Sequence, residues 1–128
     1  MNIRQILEEF SSYEDIKPSA KMVEAGKKIK EIFEKLIKEL DINSEITFDE
    51  RPILKQDIGD DYPVVSICIL GENEDLLQGH VYPKDANNID GDLVFGLYSD
   101  VAIVDEEYSD LIEFEKDAKE VLKKIVEK

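Results

Sequence analysis

Apolar side chains recur at helical spacing from Met22 to Leu40, at every second position through Ile46 and Phe48 and through Val65, Ile67 and Ile69, and at helical spacing again from Leu111 to Ile125. A period near 3.6 marks an amphipathic helix and a period of two marks a strand, so the chain reads as helix, then sheet, then helix.

The first segment has its own helical signal. Asn2 followed three residues later by Gln5 suits a helix start, and Ile3, Ile6, Leu7 and Phe10 predict a short first helix. Pro18-Ser19 marks a fresh beginning, with Ser19 as cap. From Ala20 to about Leu40, Met22, Val23, Gly26, Ile29, Ile32, Phe33, Leu36, Ile37 and Leu40 draw one stripe with lysines and glutamates opposite.

After Asn43 the period is that of strands. Ile46 to Phe48 reads as one, Pro52 interrupts, and Ile53 to Ile58 resumes extended structure before a turn at Gly59-Asp60-Asp61. Pro63 to Leu70 is the strongest strand. Val65, Ile67 and Ile69 face one way and Val64, Ser66, Cys68 and Leu70 the other, so both faces read as buried and the strand as central. Gly71 to Asp75 turns into a strand from Leu76 to Tyr82, a loop over Pro83 to Asp92 leads to Leu93 to Tyr98, and Ser99-Asp100 separates that from a strand over Val101 to Val104. The last helix is expected to begin around Asp105 to Ser109 and to carry Leu111, Phe114, Ala118, Val121, Leu122 and Ile125 on its stripe.

Short turns favour antiparallel pairing, and helices grouped at the chain ends favour α+β over alternating α/β. The expectation is one α+β domain over 1–128: two N-terminal helices, an antiparallel meander of four to five strands, and a C-terminal helix packed on the sheet beside the long helix. A chain of 128 residues suits one core.

Charge changes the picture most. Residues 43–110 hold 17 acidic and three basic side chains, a formal charge of −14 against −15 for the whole chain. Both flanks are nearly neutral. The acidity is local, and it opposes direct binding of nucleic acid phosphates or anionic membranes. Met1 to Phe10 carries acidic residues where a signal peptide needs an apolar run, and Pro63 to Leu70 is too short to cross a bilayer, so a cytoplasmic location is expected. Cys68 is the only cysteine, which removes any intramolecular disulfide and any thiolate zinc site.

Candidate chemistry is sparse. The stretch Asp85 to Asp92 superficially resembles an EF-hand loop, but with Gly91 at the sixth position the first ligand becomes Ala86 and the twelfth Leu97. A polar hairpin loop is the better reading, with no metal and no cofactor expected. His80 lacks an evident nucleophile in the sequence, Cys68 between Ile67 and Ile69 reads as a small hydrophobe, and Asp60-Asp61 and Glu106-Glu107 read as exposed pairs. No glycine-rich phosphate loop is present in the sequence, so no enzyme is indicated.

The acidic segment therefore reads as an interaction surface for a basic protein partner. Focused carboxylates steer and select cationic partners, whereas adaptation to salt would spread acids over every face. The expected contacts are Asp57, Asp60, Asp61, Glu72, Glu74, Asp75, Asp85, Asp90 and Asp92 as acceptors for arginine or lysine, with Tyr62 and Tyr82 as apolar anchors. By charge and size alone this is the profile of an immunity protein or antitoxin that inhibits a nuclease toxin. The alternatives are a small acidic secretion-type chaperone, whose groove would matter more than its acids, and a phage-type nucleic-acid mimic, which the lysines of the Ala20 to Leu40 helix argue against. An apolar second sheet face would suit a homodimer.

Overall fold

The computed structural model describes residues 15–54, 57 and 60–127. The element order is β1 (Asp15–Ile16), α1 (Ala20–Glu39), β2 (Ile46–Arg51), β3 (Ile53–Leu54), β4 (Val64–Leu70), β5 (Asp75–Pro83), β6 (Leu93–Ser99), β7 (Val104–Tyr108) and α2 (Leu111–Val126). The α+β expectation holds. Among the described residues one helix precedes the sheet and one follows it; the short helix predicted over 3–10 lies outside them.

Helix α1 starts where its cap chemistry dictates. Ser19 sits in extended backbone and its hydroxyl accepts from the Met22 amide at 3.3 Å. Its far end is closed by two bonds that reach back into the last turn, Ile42 N–H to the Ile37 carbonyl at 2.8 Å and Asp41 N–H to that of Lys38 at 3.3 Å. This Schellman closure needs a left-handed residue, and Asp41 supplies it at φ 55° where glycine is usual. Helix α2 is capped by Asp110, whose carboxylate accepts from the Ile112 amide at 2.8 Å.

The main sheet has the order β2-β4-β5-β6-β7, antiparallel throughout, and a two-stranded ribbon pairs β1 with β3. Strand β5, not β4, is central. Val65, Ile67 and Ile69 of β4, Leu77 and Val81 of β5 and Phe95 and Leu97 of β6 share one face and are buried against Met22, Ile29, Phe33 and Leu36 of α1 and Phe114, Ala118 and Leu122 of α2. Both helices lie on that face. Phe33 and Phe114 stack with centroids 6.0 Å apart, and Lys35–Glu115 (3.6 Å) and Lys119–Glu39 (3.5 Å) join the helices at the surface, where such pairs contribute little.

Two glycines set how closely the helices approach. A Cβ on Gly26 of α1 would lie 2.5 Å from the Val65 side chain and 3.2 Å from Phe48. One on Gly79 of β5 would lie 2.8 Å from Ile29 and 3.1 Å from both Phe33 and Phe114. The helix is notched over the sheet at one site, and the sheet beneath both helices at the other.

Three sequence expectations need correction. The stretch predicted as a strand over Val101 to Val104 is mostly a turn: Ser99 Oγ accepts from the Ala102 amide at 3.1 Å while donating to the Leu76 carbonyl at 2.7 Å, and Ile103, 91% exposed, sits at φ 56°. The strand is instead Val104–Tyr108, in residues expected to open the last helix; the side chains of Asp105, Glu106 and Glu107 are exposed, which hides its alternation. The second face of β4 is also not an apolar one. Ser66 is buried there among polar neighbours, while Val64, Cys68 and Leu70 are half-buried and no helix of the described residues packs on it.

Gly79→Ala would force the aromatic rings of both helices apart. The expected cost is about 1–3 kcal/mol, as for other overpacked cores, read as a lower denaturant midpoint with an unchanged slope. A midpoint equal to that of the wild type would show that the helices do not rest on Gly79.

Candidate functional site

Register divides the expected contact residues between two ends of the sheet. Val65 pairs with Val81, Pro83 with Leu93 and Phe95 with Tyr108, so the start of β4, the end of β5, the start of β6 and the end of β7 share one end. Leu70 pairs with Asp75 and Ser99 with Val104 at the other. With nine residues in β5 the two ends are separated by roughly 25 Å.

Asp57, Asp60, Asp61 and Tyr62, on the connection into β4, gather at the first end with Tyr82 and with Asp85, Asp90 and Asp92 of the β5–β6 loop. Glu72, Glu74 and Asp75 lie in the β4–β5 hairpin at the second end. The meander, which sends successive turns to opposite ends, therefore divides the eleven into two groups.

Local bonds fix the first end. The Asp57 carbonyl accepts from the Asp60 and Asp61 amides at 3.1 and 2.9 Å, and the Asp61 carboxylate accepts from the Tyr62 amide at 2.8 Å. The Asp85 carboxylate accepts from the Asn87 amide at 2.9 Å, an Asx turn that begins the β5–β6 loop. The Lys84 amide donates to the Asp92 carbonyl at 2.9 Å and closes it. Helix α1 holds the loop from beside, through the Lys21 ammonium on the Gly91 carbonyl at 2.8 Å and Ser19 Oγ on the Ile89 carbonyl at 3.4 Å.

Between these pieces runs a cleft of about 740 Å³, lined by Lys21, Tyr62, Tyr82, Lys84, Asp92, Val94, Glu107, Tyr108 and their neighbours. Its aromatic wall depends on a glycine. Gly96 of β6 lies between Tyr82's strand and Glu107's, paired with His80 on one side and Glu107 on the other. Having no side chain, it lets the Tyr82 ring cross β6 at 3.2 Å from where a Cβ would stand. The Tyr82 ring thereby comes close to the Glu107 carboxylate, and Tyr62 stacks on the ring at 5.4 Å and 20°. Burial, followed by the Glu107 charge, pushes the Tyr82 phenol well above its usual range, so it stays protonated. Tyr108 is likewise raised, by burial and by donating to Asp117 of α2 at 2.5 Å, which ties the end of β7 to the helix.

A polar chain crosses the same sheet face toward the second end. The Asp75 carboxylate accepts from the Gln78 amide nitrogen at 3.1 Å, so the Gln78 carbonyl faces His80 Nε2 at 3.1 Å and that nitrogen carries the ring proton. His80 Nδ1 is then left to accept from Ser66 Oγ at 2.9 Å. Burial, with the nearby Arg51 guanidinium, holds the His80 pKa below its usual 6.5, with Asp105 opposing, and the imidazole is neutral at pH 7. A serine does therefore stand beside the histidine, a pairing invisible in sequence because 14 residues separate them. Yet Ser66 is only 6% exposed and β4 is paired on both sides, so no pair of free amides faces its oxygen as an oxyanion site requires. The chain clasps the open face together. Cys68, beside it, has its thiol pushed up by burial and by the Asp75 charge, which suppresses the thiolate.

Among the described residues no three His, Cys, Asp or Glu side chains are placed to hold a metal ion, and no helix is long and apolar enough to cross a membrane. Sequence reasoning missed Glu107, assigned to the wrong element, and Gly96, whose only signal is a small residue amid the bulky run Val94 to Tyr98. Compared with protein-family models, with curated proteins and with solved structures, the chain matches none.

The neutral imidazole sets a pH dependence. An unfolded chain takes up the His80 proton near 6.5 and the folded chain only below that, so the stability this group contributes is present above pH 6.5 and lost as pH falls toward the folded value. Between about pH 7.5 and 5.5 the urea midpoint of the wild type is expected to fall more steeply than that of His80→Gln. Parallel profiles would show that His80 is not held neutral by the fold.

Proposed function

We propose that this chain is a non-catalytic binding protein that captures a basic segment of a protein partner at the Tyr62 end of the sheet, as an inhibitor or neutraliser of that partner. The observation that carries the reading is a cleft lined by the stacked Tyr62 and Tyr82 with Asp92 and Glu107, at the end of the sheet where the connection bearing Asp57, Asp60 and Asp61 and the loop bearing Asp85 and Asp90 also lie. Carboxylates round a partly desolvated aromatic pair supply charge selection at the rim and packing at the centre, the usual division of labour in a protein interface. The hydrogen bonds that close the β5–β6 loop present its carboxylates with little ordering left to occur on binding.

An immunity-like role against a cationic toxin, in a cytoplasmic setting, accords with this surface. The chaperone reading has less support, because among the described residues the sheet face opposite the helices carries the polar Asp75-Gln78-His80-Ser66 chain. Glu72, Glu74 and Asp75 are a separate patch in this account and steer at long range at most.

Reversing Asp60, Asp61, Asp85 and Asp92 together to lysine is expected to abolish retention of basic proteins from a lysate of the source cells at low ionic strength, with the circular dichroism spectrum unchanged. Reversing Glu72 and Glu74 is expected to leave most of that retention in place. Equal losses in the two variants, or no salt-sensitive retention by the wild type, would contradict the proposal.

A further inference from the structure

Resting on the reading above and sharpening it, we infer that the Tyr62–Tyr82–Glu107 cleft is an arginine-reading site, so that the captured segment presents an arginine in preference to a lysine.

The argument starts from the two tyrosines. Tyr82 is covered on one side by the Gly96 backbone and on the other by the stacked ring of Tyr62, so Tyr62 is the ring that meets a ligand. A planar guanidinium stacks on such a ring and loses little hydration in doing so, whereas a compact ammonium is strongly hydrated and approaches as a point charge. The Glu107 carboxylate lines the same cleft, is exposed, and lies close enough to Tyr82 for its charge to act on the phenol, so an acceptor for a second donor stands beside the aromatic pair. A guanidinium offers donors in its plane while its face lies on the ring, and an ammonium cannot present both at once.

The lining also contains Lys21 and Lys84, and each has a defined part. The Lys21 ammonium is engaged by the Gly91 carbonyl at 2.8 Å, where it pins the loop. Lys84, the only basic residue of the β5–β6 loop, is exposed and lines the cleft, where its charge opposes an incoming arginine. The surrounding charge of −14 over residues 43–110 makes an anionic occupant the unfavourable alternative.

The test uses fluorescein-labelled hexa-arginine, hexa-lysine and hexa-citrulline peptides in anisotropy titrations against the full chain at low ionic strength. Hexa-arginine is expected to bind about threefold or more tighter than hexa-lysine, in line with a stacked cation at an exposed ring, and hexa-citrulline not measurably. Tyr62→Ala removes the preference while leaving the residual charge-driven binding, and its melting temperature verifies the fold. Glu107→Gln weakens hexa-arginine more than hexa-lysine. Lys84→Ala tightens hexa-arginine. Equal binding of the two cationic peptides by the wild type, or a preference that survives Tyr62→Ala, overturns the arginine site and leaves the basic-partner reading standing. Weaker hexa-arginine binding by Lys84→Ala overturns the site as well. Failure of both cationic peptides to bind above hexa-citrulline overturns both readings.

Discussion

The character of the polar sheet face follows from the seating of α1 and α2 on the other one. Gly79 in the central strand leaves a hollow under Ile29, Phe33 and Phe114, and Gly26 in α1 leaves a matching notch over Val65 and Phe48. Interiors are packed to crystal-like density, so a missing side chain on one layer is an invitation to a large one on the next. With both helices drawn to one face, the apolar positions of β4, β5 and β6 that point toward them are fully used, and the opposite positions are free to be polar.

That opposite face is organised by the same device at smaller scale. Gly96 removes a side chain between Tyr82 and Glu107, and the tyrosine fills the gap by lying across β6, an aromatic covering a glycine in the neighbouring strand. A packing solution has thereby produced a ring, a carboxylate and a second ring in one place. The edge strands add charge for a different reason: Asp105, Glu106 and Glu107 on β7 and Asp49 and Glu50 on β2 discourage strand-to-strand association at edges that would otherwise pair. Part of the chain's acidity thus has a role in edge protection, and the proposed recognition role falls to the part near Tyr62.

The helices α1 and α2, most of the meander and the core stripe were legible in the sequence because period and caps agree there; Ser19 before Ala20 and the alternation in Val64 to Leu70 each allow one interpretation. Legibility failed where a residue acts out of type. Asp41 closes α1 and Ile103 turns β6 into β7 in the left-handed region without a glycine to announce either, and Val104–Tyr108 conceals a strand behind three consecutive acids. The site was half legible. Its tyrosines and loop aspartates are conspicuous by composition, but which of them meet depends on strand register, and register assigned Glu72, Glu74 and Asp75 to the far end. Ser66 beside His80 and Glu107 beside Tyr82 are contacts between strands, which no local pattern encodes.

The central claim is that recognition is confined to the Tyr62 end, and amide chemical-shift mapping of the ¹⁵N-labelled chain during titration with a basic polypeptide tests it most directly. The account predicts perturbations concentrated at residues 60–63, 82–85, 90–96 and 105–108, with the Glu72 to Asp75 hairpin nearly silent. Shifts spread evenly over both ends of the sheet, or centred on the helices, would contradict it.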